Sequence, residues 1–305
     1  MAHPTILASG YRGAAFVSGI LSAGLSPERV ISYKQVGDKS SAFEELIELT
    51  RSKGIQFEET RYPDLKDDAL IFLIGWQFLI SEGLERCIVF HDSLLPMYRG
   101  FTPTVTALLR GDEEIGVTAF RPDGGVDTGP VYGRRTVRVP SGSSLQAVLD
   151  LQTAATIDLA LELGERASRG ELHAVLQDES AVMCSLWRDN FDFFIDWRRD
   201  AQQILRQIDY VGYPYDGAKA VLHDRILTIV RAQLGPDIAF AIRDPGKLWQ
   251  IEGGRALVVC GEGTVWIDAA VDADKKPFRF KNLRTRFLTA DTAWITPFTS
   301  GDSKK

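Results

Sequence analysis

The sequence of 305 residues is short of cysteine, of long apolar runs and of any strong excess of positive charge. Its three cysteines, Cys87, Cys184 and Cys260, are far apart and form no CxxC pair. We therefore expect reduced thiols rather than disulfides or a metal site. No apolar run is long enough to cross a bilayer, and the amino terminus lacks the basic and then apolar pattern of a secretory signal. These absences predict a cytoplasmic protein without a membrane partner.

The charge distribution argues against a dedicated nucleic-acid binder. The formal net charge is −6 at pH 7. Residues 1–199 carry 20 Lys and Arg against 28 Asp and Glu, whereas residues 200–305 carry 15 against 13. Neither part offers the strongly basic surface that phosphate backbones require. The hydrophobic content of 45% and the charged content of 25% are typical of a globular protein.

The length favours two domains, and the pattern of the chain changes near residue 185. Before that point, short apolar runs alternate with segments of helical periodicity, which predicts an α/β fold with a Rossmann-like, mostly parallel sheet. After residue 200, short strands broken by glycine and proline predict a smaller, mainly antiparallel β domain. We expect a first domain at 1–184, a linker rich in aromatic residues at 185–200, and a β-rich domain at 201–305.

One stretch, residues 87–104, has the layout of a functional site. The apolar run Ile88-Val89-Phe90 leads to His91, and a polar loop with a proline and then a helical segment follow. Open α/β proteins bind ligands where strands end in this way. Further on, the glycine-rich loop GGVDTG contains Asp127. A histidine and an aspartate on neighbouring loops can move protons during attack on a carbonyl, so we regard both as candidate catalytic residues.

Several motifs in order resemble the folate-dependent formyltransferases. The resemblance rests on HDSLLP at 91–96, YRG at 98–100, GDEEIGVTAF at 111–120 and DTGP at 127–130. Later motifs, FFIDW, a Pro-x-x-Gly-Ala loop and CGEGTVWI, resemble the second, OB-like domain of the family members that act on tRNA or on amino sugars. The family includes methionyl-tRNA formyltransferases, glycinamide ribonucleotide formyltransferases and amino-sugar N-formyltransferases. The glycinamide ribonucleotide enzymes lack that second domain, so they fit less well.

The resemblance implies that N10-formyltetrahydrofolate donates a formyl group to an amine. His91 and Asp127 fall on the family positions that move protons and stabilise the oxyanion. The resemblance also implies which residues bind the folate, around an apolar slot and a glycine-rich loop. These residues are Phe78, Leu79, Ile80, Ser93, Leu94, Leu95, Pro96, Asp123, Gly124, Gly125 and Val126.

The sequence departs from the family at Val89, where these enzymes usually have an asparagine whose amide points at the formyl oxygen. The chain has only two asparagines, Asn190 and Asn282, and neither lies near this stretch. Three explanations are open. Another donor such as Gln77 or Ser93 replaces the amide, His91 acts with backbone amides alone, or the protein has lost this chemistry. Asp92 beside the histidine is also unusual. Two interpretations are open, a second acid that raises the pKa of the imidazole or a side chain that faces solvent, and we favour the second.

The sequence favours a small amine as the acceptor, above all a nucleotide-linked amino sugar. The first domain is acidic, and the chain lacks the basic insertion that the tRNA enzymes carry after the RGxxP segment. Four alternatives are open: another small amine, a methionyl-tRNA formyltransferase, a formyltetrahydrofolate hydrolase that releases formate, and a folate-binding homologue without catalysis. The sequence does not give the oligomeric state, and we keep a homodimer as a hypothesis. We expect no metal.

Overall fold

The computed structural model describes residues 3–35, 40–212 and 215–289. The chain forms two compact units, one of residues 1–106 and 113–186 and the other of residues 107–112 together with the chain from 187 onward. Pro214 of the Pro-x-x-Gly-Ala loop and residues 290–305 of the expected second domain lie outside the described residues.

The first unit alternates strands and helices, as the sequence pattern predicts. Its strands are β1 (Thr5–Ala8), β2 (Arg29–Ser32), β3 (Gln56–Glu59), β4 (Ile71–Ile74), β5 (Cys87–His91), β6 (Arg99–Gly100), β7 (Glu114–Phe120), β8 (Val131–Arg138) and β9 (Cys184–Ser185). Its helices are α1 (Gly10–Ser22), α2 (Ala42–Ser52) and α4 (Leu145–Ser168). Helix α3 (Pro103–Arg110) falls across the division between the two units.

The main sheet of the first unit has the strand order β3-β2-β1-β4-β5-β7-β8 among the described residues. The first five strands are parallel, and β7 is antiparallel to both β5 and β8. Every residue of β1 and β4 is buried, as expected of central parallel strands that are covered on both faces. The predicted Rossmann-like, mostly parallel sheet is therefore confirmed.

Helices α1, α2 and α4 contribute the apolar residues that form the core with this sheet. Phe16, Leu46 and Leu159 are almost fully buried in one cluster with Ile6 and Phe72 of the central strands. Ser144 caps α4, because its hydroxyl accepts a hydrogen bond from the Ala147 amide at 3.2 Å. The helices thus fix the strands whose ends carry the candidate site.

A separate pairing of two short parallel strands, β6 and β9, lies beside the main sheet. It joins Arg99 to Cys184 and Gly100 to Ser185. Gly100 adopts φ 107, and a Cβ at this position would lie 2.5 Å from the Ser185 carbonyl oxygen. Only glycine permits this close approach. The end of the first unit is thereby attached to the loop that follows His91.

The second unit contains a mainly antiparallel sheet, which confirms the fold class predicted for the carboxyl-terminal part. Helix α5 (Ala201–Tyr210) precedes it and is capped by Asp200, whose carboxylate accepts from the Gln203 amide at 2.7 Å. The described strands are β10 (Ala218–Leu222), β11 (Arg225–Leu234), β12 (Leu248–Glu252), β13 (Arg255–Val259), β14 (Thr264–Val271), β15 (Pro277–Phe278) and β16 (Phe287–Leu288). Their order is β12-β13-β14-β11-β10-β16, with β15 paired to β14.

Candidate active site

His91 is the last residue of β5, and its imidazole is almost completely buried. Its Nε2 lies 2.9 Å from the backbone carbonyl oxygen of Tyr98. Because a carbonyl oxygen only accepts hydrogen bonds, Nε2 must carry the hydrogen. The neutral ring therefore leaves Nδ1 as the nitrogen that can take up or release a proton.

Asp127 faces that second nitrogen. One carboxylate oxygen, Oδ2, lies 3.5 Å from His91 Nδ1 and also accepts a hydrogen bond from the Gly100 amide at 2.8 Å. The separation of 3.5 Å is longer than a good hydrogen bond. Catalytic contacts often tighten only when substrate binds, so the geometry suits proton transfer. The structure thus brings together the histidine and the aspartate that the sequence singles out.

Gln177 connects Asp127 to Arg99, and sequence reasoning missed it. Its Nε2 donates to the carbonyl oxygens of Asp127 and Gly129, both at 2.8 Å. Its Oε1 accepts from Nη2 and Nε of Arg99 at 2.8 Å and 3.1 Å. Nothing in the local sequence distinguishes this glutamine from a surface residue. It lies between the motifs that carry the resemblance, after DTGP at 127–130 and before FFIDW at 193–197.

Side chains of β7 and β8 bind the backbone of the loop after His91. Thr118 accepts from the Leu95 amide at 3.0 Å and donates to the Ser93 carbonyl at 2.7 Å. Arg134 donates to the Leu95 carbonyl at 2.9 Å, and the Leu95–Pro96 peptide bond is cis. The predicted folate-binding residues 93–96 therefore form one ordered segment with His91.

Val89 lies on the same strand as His91, two residues earlier, so both side chains are on one face of the sheet. It is half-buried and packs against Leu95, Phe120 and Val131. The Ser93 hydroxyl does not stand in for the missing amide, because it donates to the Met97 carbonyl at 2.6 Å. Gln77, the other candidate donor, is exposed. The position that usually holds an amide is therefore an apolar surface here.

Asp92 does not simply face solvent, so that expectation was wrong. Its carboxylate forms an ion pair with Arg12 of α1. Arg12 also donates to Thr153 and Thr156 of α4, at 3.0 Å and 3.2 Å. The buried guanidinium has enough donors to satisfy all of these acceptors at once. Asp92, the residue after the candidate catalytic histidine, is thus connected through Arg12 to helices α1 and α4.

The remaining predicted folate residues lie in two other places. Phe78 packs edge-on against Tyr33 with ring centres 4.9 Å apart, Ile80 is half-buried, and Leu79 is 94% exposed. This segment follows β4, the parallel neighbour of β5, so both segments leave the same edge of the sheet. Among the described residues, the hydrogen bonds that hold His91 and Asp127 in place do not involve residues 78–80.

The predicted folate-binding stretch at residues 123–126 belongs to the same loop as Asp127. The Asp123 carboxylate accepts from the Thr128 hydroxyl at 2.5 Å and from the Gly125 amide at 2.9 Å. These bonds, that from Thr128 foremost, lower the pKa of Asp123. Gly124 and Val126 are exposed. The ionised Asp123 therefore shapes a loop whose backbone is open to a ligand.

The cysteines are free thiols, and the structure gives them no role in this site. Cys87 and Cys260 are buried, and burial raises the pKa of each thiol to about 12. Cys184 is exposed. Within the described ranges, no group of three metal-ligating side chains is placed to hold a metal ion. No helix in the same ranges has the length and apolar character needed to cross a bilayer.

Comparison with known proteins identifies the family. Residues 70–156 match the model of the formyl transferase domain, and residues 189–287 match the model of the formyl transferase carboxyl-terminal domain. The chain belongs to the formyltransferase family. The first match contains His91 and Asp127, so both candidate catalytic residues lie within the family domain.

Curated relatives of the chain are methionyl-tRNA formyltransferases. The one from Sorangium cellulosum is 32% identical over 75% of this chain and 77% of its own length. The one from Citrifermentans bemidjiense is 33% identical over 67% of this chain. The chain spans 64% of the length of that second relative.

Solved structures share the fold of this formyltransferase at low sequence identity. WlaRD, a sugar 3N-formyl transferase crystallised with dTDP and 5-N-formyl-THF, is 16% identical with a TM-score of 0.65, over 90% of this chain and 99% of that one. The methionyl-tRNA formyltransferase from Clostridium thermocellum is 17% identical with a TM-score of 0.56, over 77% of this chain and 94% of that one. HypX from Aquifex aeolicus is 16% identical with a TM-score of 0.61, over all of this chain and 49% of that one.

Proposed function

We propose that the protein is an enzyme that transfers a formyl group from N10-formyltetrahydrofolate to an amine, which yields a formamide and tetrahydrofolate. The observation that carries this proposal is the buried pair of His91 Nδ1 and Asp127 Oδ2, 3.5 Å apart, inside the matched family domain. A pair of this kind can supply and remove protons during acyl transfer. We assign no metal to the reaction.

In the proposed mechanism the amine attacks the formyl carbon and forms a tetrahedral intermediate with a negative oxygen. When the ring is protonated, the hydrogen on His91 Nδ1 stabilises that oxygen. The attacking nitrogen then loses a proton, and folate N10 gains one as the bond between it and the carbon breaks. The Asp127 carboxylate accepts the first proton, and protonated His91 delivers the second from Nδ1. The proton on Asp127 then passes to Nδ1, 3.5 Å away, which restores both groups.

A folate as the donor is supported by the family and by the shape of the surrounding segments. A fold neighbour was crystallised in the presence of 5-N-formyl-THF, and a HypX structure is known in complex with tetrahydrofolic acid. In this chain the segment Ser93–Pro96, the exposed loop 123–126 and the aromatic segment around Phe78 offer backbone groups and an apolar wall. These features are what a flat heteroaromatic ligand needs.

For the acceptor, the comparisons favour methionyl-tRNA over the nucleotide-linked amino sugar that the sequence favours. The relatives found by sequence act on tRNA by name, whereas the sugar enzymes share only the fold. The excess of acidic residues in the first 199 residues still supports the small amine. We therefore propose methionyl-tRNA as the first acceptor and retain the amino sugar as the second. The homodimer stays a prediction.

An acceptor panel tests this proposal. Purified protein is incubated with 10-formyltetrahydrofolate labelled in the formyl group, and with initiator methionyl-tRNA, a set of nucleotide-linked amino sugars, or no acceptor. We expect labelled formylmethionyl-tRNA, at a rate that falls steeply as salt is raised, because phosphate contacts are screened. If labelled formamido sugar forms instead, at a rate that is nearly independent of salt, the acceptor is the amino sugar and not methionyl-tRNA.

The hydrolase and the folate-binding homologue would give different results in the same assay. A hydrolase would release labelled formate without any acceptor. A folate-binding homologue would raise the melting temperature with folate but transfer no label, since binding to the folded state alone is enough to stabilise it. Either result would contradict the proposed formyl transfer.

A further inference from the structure

Gln177 is a buried polar residue in a segment that is otherwise exposed. It is 8% exposed, whereas its neighbours Val175 and Leu176 are 70% and 83% exposed. An amide side chain loses its water when it is buried, and that loss is tolerated only if protein groups replace the hydrogen bonds. The segment therefore turns an amide inward and leaves two apolar side chains outside.

The four hydrogen bonds of the Gln177 amide are all made within the protein. Both hydrogens of Nε2 point at backbone carbonyls, those of Asp127 and Gly129. Oε1 accepts two hydrogen bonds from Arg99. Because Arg99 can only donate, the orientation of the amide is determined and Nε2 must face the Asp127 loop.

Arg99 is itself held in place from the other side. It is 6% exposed, and two of its nitrogens donate to the two oxygens of Glu179 at 2.7 Å and 3.1 Å. Glu179 lies two residues after Gln177 on the same segment. Arg99 precedes Gly100, whose amide donates to the Asp127 carboxylate. One arginine thus links the glutamine to the backbone that contacts the side chain of Asp127.

Asp127 needs such support because its backbone is in the left-handed region, with φ 55. Residues other than glycine adopt this conformation rarely, and they keep it when the surrounding structure enforces it. Two contacts enforce it here. Gln177 fixes the Asp127 carbonyl from one side, and the Gly100 amide fixes the carboxylate from the other.

We propose that Gln177 is a positioning residue for the reaction, which holds Asp127 so that its carboxylate faces His91 Nδ1. Protein groups occupy all four hydrogen-bonding positions of its amide, so the glutamine acts through the backbone of residues 127 and 129 rather than on a ligand. Its contribution to turnover rests on the proposed formyl transfer. Its contribution to the position of Asp127 does not, and can be measured without substrate.

The variant Gln177→Met tests the proposal, because it keeps the length of the side chain and removes both donors. The matched control is Gln207→Met in α5. Gln207 is also buried, and its Nε2 also donates to two backbone carbonyls, those of Asp192 and Phe194, both at 3.1 Å. Both variants lose two hydrogen bonds that an amide donates to backbone carbonyls. Gln177→Met also removes the acceptor of Arg99, and only Gln177 contacts the Asp127 loop.

The main readout is the ¹⁵N spectrum of histidine-labelled protein at constant pH. The chain has four histidines, and His91→Gln identifies the signals of His91. We expect Gln177→Met to move the His91 Nδ1 resonance and to leave Nε2, which is bonded to the Tyr98 carbonyl, nearly unchanged. Gln207→Met should move neither. In the transfer assay we expect Gln177→Met to lower kcat by about 100-fold, the effect of a misplacement near 1 Å, with KM for the folate unchanged.

The proposal is overturned if Gln177→Met leaves the Nδ1 signal and kcat at the values of the Gln207→Met control. The glutamine would then stabilise the fold without positioning Asp127. If Gln177→Met does not fold, Glu179→Gln decides. It changes an exposed residue and loosens Arg99, so a shift at Nδ1 supports the proposal and an unchanged spectrum overturns it. A shifted Nδ1 in a protein that transfers no formyl group would retain the positioning role and reject the proposed function.

Discussion

Two residues of β5, His91 and Val89, determine which groups are available to move protons and to stabilise the oxyanion. His91 presents Nδ1 to Asp127, because its Nε2 is bonded to the Tyr98 carbonyl. Val89, two residues earlier, presents methyl groups where an amide would be expected. The Ser93 hydroxyl is bonded elsewhere, so it offers no substitute. The proposed oxyanion stabilisation therefore depends on His91 and on backbone amides.

Replacing Val89 by asparagine tests this account of the strand. We expect Val89→Asn to raise kcat, by up to about 100-fold, which is the range of effects for one oxyanion donor. We also expect a lower melting temperature, because the new amide enters the apolar contacts with Leu95, Phe120 and Val131. Single-turnover rates and thermal unfolding measure the two effects.

The control for this experiment is Val89→Ala, which opens the same space without adding a donor. It should destabilise the protein without raising kcat. An equal gain in rate from Val89→Ala and Val89→Asn would show that space matters rather than the amide. An unchanged rate in Val89→Asn would show that another donor already occupies the place.

At the scale of elements, the sequence predicts the first unit well, because its signals are local. Continuous apolar runs mark β4 and β5, and helical periodicity marks α2 and α4. The extents are less accurate. The apolar periodicity predicts a helix over residues 145–163, whereas α4 continues five residues further, to Ser168. The two-residue strands β6 and β9 could not be predicted, because their pairing depends on residues far apart in the chain.

The residues of the candidate site also differ in whether local sequence signals predict them. The family motifs single out His91 and Asp127 because these residues lie within contiguous patterns. Gln177 and the ion pair between Arg12 and Asp92 depend on tertiary contacts, and a polar residue in a local pattern does not reveal its burial. The supporting residues of a site are therefore harder to predict than the reacting ones.

The pairing of β6 with β9 predicts the effect of a change at Gly100. An added Cβ would collide with the Ser185 carbonyl, so Gly100→Ala should separate the strands and move the Gly100 amide away from Asp127. We expect a loss of roughly 1–3 kcal/mol in the free energy of unfolding, from the backbone conformation alone, and a lower kcat. Chemical denaturation and the transfer assay measure these quantities.

Gly142 provides the control for Gly100. It also has a positive φ, of 71, but a Cβ there would meet no atom within 4 Å. Gly142→Ala should therefore reduce stability without reducing kcat. Equal effects of the two substitutions on kcat would contradict a role for the strand pairing in the site.

At the scale of the whole molecule, the two sheets belong to two units with different compositions. The first unit holds the candidate active site and most of the excess acidic charge, and the second has nearly equal numbers of acidic and basic residues beyond residue 200. Family models match parts of both. The central claim for the molecule is that it transfers a formyl group with His91 and Asp127 as the groups that move protons.

The most direct test is single-turnover transfer of labelled formyl from 10-formyltetrahydrofolate to the best acceptor of the panel, by the wild type and by His91→Gln and Asp127→Asn. We expect the wild type to form the formamide and each variant to be slower by at least about 100-fold, the lower range for a lost general acid or base. Melting temperatures with folate should rise in all three proteins, which would show that binding is retained. Formyl transfer by both variants at the wild-type rate, or none by the wild type to any acceptor, would contradict the account.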